Sequence, residues 1–233
     1  SMANFLQIIQ DAADEIGIAQ PASGVGNSNV ESLKLVRYAD KVGNALMKSF
    51  HWQILTKEKT FTSVASETQT STILEADFDR FVPETFWDRT GGFLMTGPIT
   101  PKEWQNLKAT GYSNAGARKF RLRGDSILII PVPTAGLAYA YEYISNKWVD
   151  VAATGSPKVA FTLDTDIPLL NAELLTLGII YEYLDGDGLP SVSAAKTYLD
   201  MFKLLAKNDQ PSSGTLVAGD IFAGKPTGGT TIL

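Results

Sequence analysis

The sequence predicts an α+β fold, with helices at both ends of the chain and an antiparallel β region between them. Helical spacing of apolar residues marks the first 50 residues and residues 166–207, whereas alternating patterns fill most of the interval. The 233 residues are 44% hydrophobic and 19% charged, so the chain can bury a sizeable core. We therefore expect a helical bundle of residues 2–50 and 166–207, an inserted β-rich domain of residues 51–165 with one short helix, and an extended C-terminal arm of residues 208–233.

Two amphipathic helices are predicted at the N-terminus. The first covers residues 4–18, where apolar side chains recur at helical spacing and acidic side chains lie on the opposite face. After a turn-rich break, Ser28 or Asn29 can cap a second helix that runs to about residue 50. The stripe expected to be buried in this second helix is Leu33, Val36, Ala39, Leu46 and Phe50.

Alternating apolar and polar residues predict β-strands in the middle of the chain. The predicted strands cover residues 57–64, 77–82, 84–89, 118–123, 126–130 and 137–145. Thr100 is placed to cap a short helix over residues 98–109, with Pro101 in its first turn. The dipeptide Gly124-Asp125 joins two of the strands into a hairpin.

The first strand of that hairpin carries the sharpest charge pattern in the sequence. Three cations alternate with apolar residues and therefore share one face of the strand: Lys119, Arg121 and Arg123. Three roles fit this stripe: a solvated sheet face, a salt-bridge partner for an acidic neighbouring subunit, or a surface facing DNA in a lumen. Three aromatic residues also share a face, which is either the core side of a sheet or a subunit contact: Tyr139, Tyr141 and Tyr143.

Two further helices are predicted towards the C-terminus. The segment Asp166-Ile-Pro168 is typical of a helix start, and the Asp-Gly-Asp-Gly run of residues 185–188 ends that helix. Pro190 or Ser191 opens the last helix, whose apolar stripe is Val192, Ala195, Leu199, Phe202 and Ala206. The helices of the two chain ends are expected to share one core that contains Leu33, Leu46, Leu174, Leu177, Leu199 and Phe202.

Several kinds of chemistry are excluded by composition. The chain has no cysteine, which removes disulfides, thiolate nucleophiles and sulfur-ligated metals, and its only histidine, His51, rules out a multi-histidine metal site. A net charge of -5 argues against a protein that binds nucleic acid over its whole surface. The sequence contains no run of about 18 apolar residues, which is the length needed to span a bilayer. Ser1 ahead of Met2 is typical of cloning, and we expect a soluble protein made in a cytoplasm.

The paired carboxylates do not predict a catalytic or metal site. A calcium loop beginning at Asp185 would need a closing glutamate where Lys196 stands. Asp164 and Asp166 are explained as turn and helix-capping residues. A glycoside hydrolase acting through Asp77 and Asp79 is a remote alternative, because acids two residues apart on one strand cannot straddle a sugar. We therefore expect no enzyme activity, no metal and no cofactor.

Eight segments, in this order, resemble the head–tail adaptor proteins of tailed bacteriophages, and their layout is similar to podophage tail tubular protein A. They are residues 4–17, 51–58, 77–82, 87–90, 97–104, 120–125, 141–148 and 161–166. The resemblance covers roughly residues 4–207, and it rests on the order of the segments rather than on any single one.

The resemblance implies a structural virion protein that assembles in the bacterial host cytoplasm. Such proteins form a ring, typically of twelve copies, between the portal protein and a downstream tail protein, and the genome passes through the ring without sequence recognition. The alternative is another tail or tail-completion component, or a host-binding module. No membrane partner is implied.

The C-terminal arm lies outside the resemblance. Residues 208–233 contain too many glycines and prolines for a helix, yet they include spaced apolar side chains. Such a segment suits an arm that docks on another surface. The predicted anchors are Val217, Ile221 and Phe222, resting on a neighbouring copy.

Overall fold

The computed structural model describes residues 3–69, 74–151 and 155–209. Within them, the helices are α1 (Phe5–Ile16), α2 (Val30–Ser49), α3 (Pro101–Thr110), α4 (Ala172–Gly186) and α5 (Val192–Asp209). The strands are β1 (Thr56–Thr62), β2 (Phe78–Phe81), β3 (Trp87–Asp88), β4 (Phe93–Leu94), β5 (Lys119–Arg123), β6 (Ser126–Ile130), β7 (Ala138–Ser145), β8 (Val149–Asp150) and β9 (Ile167–Pro168). Helices and antiparallel strands together confirm the α+β class.

These residues form two compact units. The β unit is Thr56–Ser145, and the helical unit combines the described residues up to Leu55 with those from Asn146 onward. The insertion is therefore shorter than the predicted 51–165, chiefly because residues 146–165 belong to the helical unit. Trp148 explains this boundary: it is fully buried, and its indole nitrogen donates to the Asn44 side chain of α2 at 3.3 Å.

The two N-terminal helices begin as the sequence predicts. Asn4 and Gln7 form a reciprocal capping box at the start of α1, and Gly17 ends that helix in a left-handed conformation. The Asn29 side chain caps α2 by accepting from the backbone of Glu31 and Ser32. At the start of each of these two helices, a side chain within three residues therefore satisfies backbone groups that the helix itself leaves unpaired.

Helix α4 packs against α1, α2 and α5, but the buried stripes differ from the predicted ones. In α2, the buried apolar residues are Leu35, Ala39, Val42, Leu46 and Met47. Leu33 is 50% exposed, so its predicted core position is wrong. Two residues correspond to about 200° around a helix, which places Leu33 opposite Leu35.

Helix α5 shows the same kind of shift. Its buried residues are Tyr198, Phe202 and Ala206, spaced by four residues, whereas Val192 is 83% exposed and Leu199 is only half-buried. The predicted burial of Phe202 is confirmed and that of Leu199 is not. The helix also continues to Asp209, two residues into the predicted arm.

The predicted helix start at Asp166 is wrong. Ile167–Pro168 forms the short strand β9, which pairs with β8, and the backbone N–H of Leu169 donates to the Trp148 carbonyl at 2.8 Å. Asn171 caps α4 through a hydrogen bond from the backbone N–H of Leu174. A proline after an acidic residue fits a helix start locally, but pairing with a distant strand determines the conformation here.

In the β unit, a five-stranded antiparallel sheet has the order β1–β7–β3–β4, and β2 pairs with β7 as well. The three tyrosines of β7 face the core, where each is at most 3% exposed and packs among Phe81, Phe86 and Phe120. This resolves the two readings of that face in favour of the core. The β5–β6 hairpin forms a separate two-stranded sheet.

Helix α3 begins as predicted, with the Thr100 side chain accepting from the backbone N–H of Glu103. Its buried residues, Trp104 and Leu107, pack with Leu128 and Ile130 of β6. The other face of the hairpin, which includes Phe120, belongs to the aromatic core. The hairpin is therefore covered by apolar groups on both faces near its base.

Candidate functional site

The basic stripe lies on the α3 side of the hairpin, because Lys119 and Arg121 pair across the strands with Ile130 and Leu128. The Lys119 ammonium donates to the Glu103 carboxylate at 2.7 Å. Arg121 is half-buried and Arg123 is exposed next to the turn. In the part of the chain that the structure describes, neither arginine forms an ion pair. We call Arg121 and Arg123 the basic edge.

The face of the five-stranded sheet that lies opposite the tyrosines carries a shallow cleft of about 480 Å³. Its floor is Ala140, whose small side chain points away from the core because the tyrosines alternate with it along β7. Trp87 lies directly across from Ala140 and Leu94 in the strand register, and it is 43% exposed. An exposed tryptophan beside a cleft is typical of an interaction surface.

Five charged residues line this cleft: Glu58, Glu84, Asp88, Arg89 and Glu142. Glu58 on β1 pairs with Arg89, and the closest nitrogen–oxygen distance is 2.5 Å. Within the described residues, Glu84 and Glu142 form no ion pair. We call the surface made by Glu58, Glu84, Trp87 and Glu142 the acidic cleft.

The backbone around Glu84 is held in an unusual conformation. Its φ of 61° is the only positive value at a non-glycine residue in the described chain, and such a conformation is costly for a side chain with a Cβ. The Thr85 hydroxyl accepts from the Glu142 backbone N–H at 3.1 Å, and the Val82 N–H donates to the Glu142 carbonyl at 3.0 Å. These bonds fasten the turn to β7 and bring Glu84 to the rim beside Glu142.

Asp77 is one of the two acids through which a glycoside hydrolase would act, but its hydrogen bonds give it a structural role. Its two carboxylate oxygens accept from the Lys57 ammonium at 2.6 Å, the Ser145 hydroxyl at 2.7 Å and the Tyr143 hydroxyl at 3.0 Å. Burial raises the pKa of Asp77, but these three donors outweigh it and lower the pKa to about 2. The carboxylate joins β1 and β7 to the segment before β2. Asp79 pairs with the adjacent Arg80 at 2.5 Å.

This network predicts an acid-sensitive β unit. A carboxyl group whose pKa is lowered on folding stabilises the protein above its ordinary value of 3.8, and that stability is lost as the pH falls towards 2. Between pH 5 and pH 2, we expect the unfolding free energy to fall by about 1–2 kcal/mol more in the unmodified chain than in Asp77→Asn. Urea titrations measure this difference. The exposed Asp125→Asn variant serves as the control and should keep the full pH dependence.

The other paired aspartates bind parts of the chain together. Asp166 is a buried ion-pair partner of Lys158, at 2.6 Å, rather than a helix cap. Asp164 lies in a turn, as predicted, which is closed by the Asp166 backbone N–H donating to the Leu163 carbonyl at 3.1 Å. Its side chain also accepts from the backbone N–H groups of Gly24 and Val25 and so connects distant segments. Asp187 ends α4 and pairs with Lys34 at 3.0 Å. Among the described residues, no three potential metal ligands cluster.

A second cleft, of about 760 Å³, lies in the helical unit. Asp11 and Glu15 of α1 form one side, and the segment from Ile167 to Glu173 forms another. Its acidic side chains are Asp11 and Glu15 of α1 and Glu173 of α4, and in the described residues none of the three forms an ion pair. Val217, Ile221 and Phe222, the predicted anchors of the arm, lie outside the described residues.

No protein-family model matches the sequence, and a search of curated proteins finds no significant match. The resemblance to head–tail adaptors therefore remains a prediction from the eight segments. No helix among the described residues is long and apolar enough to cross a membrane.

The sequence predicted the basic edge but missed the acidic cleft. Its residues come from β1, the turn before β3, and β7, so no local pattern unites Glu58, Glu84 and Glu142. One signal was present. Alanines alternate with tyrosines in residues 138–141, and small side chains on the outer face of a central strand leave space above the sheet.

Proposed function

We propose that this chain is a structural subunit that assembles with further copies of itself into the ring adaptor joining a phage portal to a tail. The observation that carries this function is the presence of two different outward-facing surfaces on the β unit, the basic edge and the acidic cleft with Trp87. A ring requires two different and complementary patches on each copy, because its contacts are heterologous.

Two further observations support this role. The eight ordered segments that resemble head–tail adaptors span both units, so the resemblance is not confined to one of them. The buried carboxylates that an enzyme could use, Asp77 and Asp166, are instead committed to ion pairs and to backbone or hydroxyl donors. A carboxylate held in this way stabilises packing between segments and is not available as a general base.

Electron microscopy tests the function directly. We expect the purified full chain, alone or mixed with a portal protein from the same phage, to form closed rings with a central opening. Light scattering across a concentration series should give a mass that is a multiple of the 25.2 kDa subunit. A chain that remains monomeric in both preparations, and is missing from the neck of the virions that encode it, would contradict the proposal.

A further inference from the structure

The basic edge and the acidic cleft carry equal and opposite charge that is not neutralised within the described chain. Glu58 is paired with Arg89, and the buried Asp88 in the lining of the cleft is paired with Arg118 at 2.9 Å. Glu84 and Glu142 therefore give the cleft a charge of about -2 at neutral pH. Arg121 and Arg123 give the basic edge a charge of about +2.

We propose that the basic edge of one copy docks into the acidic cleft of the next copy, with Arg121 and Arg123 against Glu84, Glu142 and Trp87. This inference rests on the proposed ring function and names the contact that closes the ring. The two surfaces share no residue, so one copy can use both at once. A head-to-tail contact of this kind extends from copy to copy until the ring closes.

The geometry on the hairpin suits this contact. Arg121 and Arg123 lie two residues apart on one strand, so their side chains leave the same face about 7 Å apart. Arg121 is half-buried, which restricts its stem and reduces the entropy lost when its guanidinium is fixed. Arginine also presents a planar set of donors that matches a carboxylate.

The geometry of the cleft is equally prearranged. Hydrogen bonds to the backbone of Glu142 hold the Glu84 turn in place, so the two carboxylates share one rim before any partner arrives. Two like charges on one rim repel each other, and an incoming pair of guanidinium groups relieves that repulsion. The exposed face of Trp87 provides a surface on which one guanidinium can stack.

A second copy fits the cleft better than a small cation does. The cleft has a volume of about 480 Å³ and lies on a sheet face that carries two exposed apolar residues. These are Trp87 and Leu94, which is 38% exposed. Burying such apolar groups favours association with another protein surface. The hairpin offers a matching pair of charges on every copy of the chain, at the same concentration as the cleft.

Charge exchange provides the experiment. One variant carries Arg121→Glu and Arg123→Glu, and the other carries Glu84→Lys and Glu142→Lys. Each variant alone has the same sign of charge on both surfaces, so we expect its self-association to weaken at least about tenfold. An equimolar mixture restores opposite charges at every contact. The mixture should therefore assemble within about threefold of the unmodified chain, in strictly alternating order.

The control variant carries Lys102→Glu and Lys203→Glu, which change the net charge by the same amount as the arginine variant at exposed positions outside both surfaces. It should assemble like the unmodified chain. Thermal unfolding and circular dichroism of all variants should match, since every substituted side chain is at least partly exposed. Sedimentation velocity measures the association.

The outcomes separate this contact from the ring function itself. If the unmodified chain forms rings and the charge-reversed variants assemble equally well, the contact is wrong and the function stands. If the variants fail to assemble and their mixture does not recover, the two surfaces do not meet each other, and the self-contact is wrong. A chain that is monomeric at millimolar concentration also overturns the contact, and microscopy of the virion then decides the function.

Discussion

Replacing Asp166 with alanine is expected to lower the unfolding free energy by about 3–5 kcal/mol. The carboxylate is fully buried, and one of its oxygens accepts from the Lys158 ammonium at 2.6 Å and from the backbone N–H groups of Thr162 and Leu163 at 2.8 and 2.9 Å. Alanine would leave a partly buried cation and two backbone donors without their acceptor. Uncompensated groups of this kind account for the largest losses seen in single variants.

The effect should extend beyond the ion pair, because the same segment caps the first helix. The Asp166 carbonyl accepts from the Phe5 backbone N–H at 2.7 Å, and the Asp164 carbonyl accepts from that of Leu6 at 3.1 Å. Loss of the carboxylate releases the segment that holds both carbonyls. We therefore expect α1 to lose protection from hydrogen exchange along with the overall loss of stability.

Two control variants separate charge from shape. Asp166→Asn keeps the size of the side chain and one acceptor oxygen, so it should cost less than alanine while leaving Lys158 without a counter-ion. Asp11→Ala removes an exposed carboxylate of α1 and should change the unfolding free energy by less than about 0.5 kcal/mol. Urea unfolding at pH 7 measures all three. A loss below about 1 kcal/mol for Asp166→Ala would show that the ion pair is dispensable.

Asp166 also illustrates what sequence patterns leave open. The pattern Asp-Ile-Pro fits a helix start, but Asn171 provides the cap and Asp166 turns inward to Lys158. The ion pair spans only eight residues, yet the bend that closes it depends on the pairing of β8 with β9. The spacing of apolar residues along the sequence does not indicate that two distant short strands pair in this way.

Local chemistry was sufficient elsewhere. The side chains of Asn29 and Thr100 cap helices within three residues of themselves, so these caps predicted the starts of α2 and α3. Apolar spacing alone predicted α1. The alternation in residues 118–123 likewise predicted β5, because one face of that strand meets the aromatic core. Caps and alternation are properties of neighbouring residues, and no distant contact overrode them here.

Burial was harder to predict where apolar residues outnumber the positions on one helix face. Helix α2 offers both Leu33 and Leu35, and only its packing against the other helices of the unit buries Leu35 and leaves Leu33 exposed. The acidic cleft depends even more on distant contacts, because Glu58, Glu84 and Glu142 meet only after three strands pair. Of the two surfaces, only the basic edge had a charge that could be predicted from the sequence, because its two arginines lie on one strand.

Replacing Phe202 with alanine should lower the unfolding free energy by about 3–5 kcal/mol. The ring is 3% exposed and packs edge-on against Phe50 and Trp52, with centroid distances of 6.3 and 5.8 Å. Truncation would remove the buried ring of α5 that contacts the end of α2, and it would leave a cavity between aromatic neighbours that cannot collapse without moving both. Urea unfolding at pH 7 measures the loss.

Leu204 offers a matched control on the same helix. It lies two residues further along, on the opposite face, and is 54% exposed, so Leu204→Ala should cost less than about 1 kcal/mol. The hydrogen bond from the Gln53 backbone N–H to the Asp209 carboxylate, at 2.8 Å, holds the end of α5 in both variants. A large difference between the two variants would therefore report packing at Phe202 itself, because both truncations alter helix propensity only slightly. Equal losses would mean that α5 is not anchored through its aromatic face.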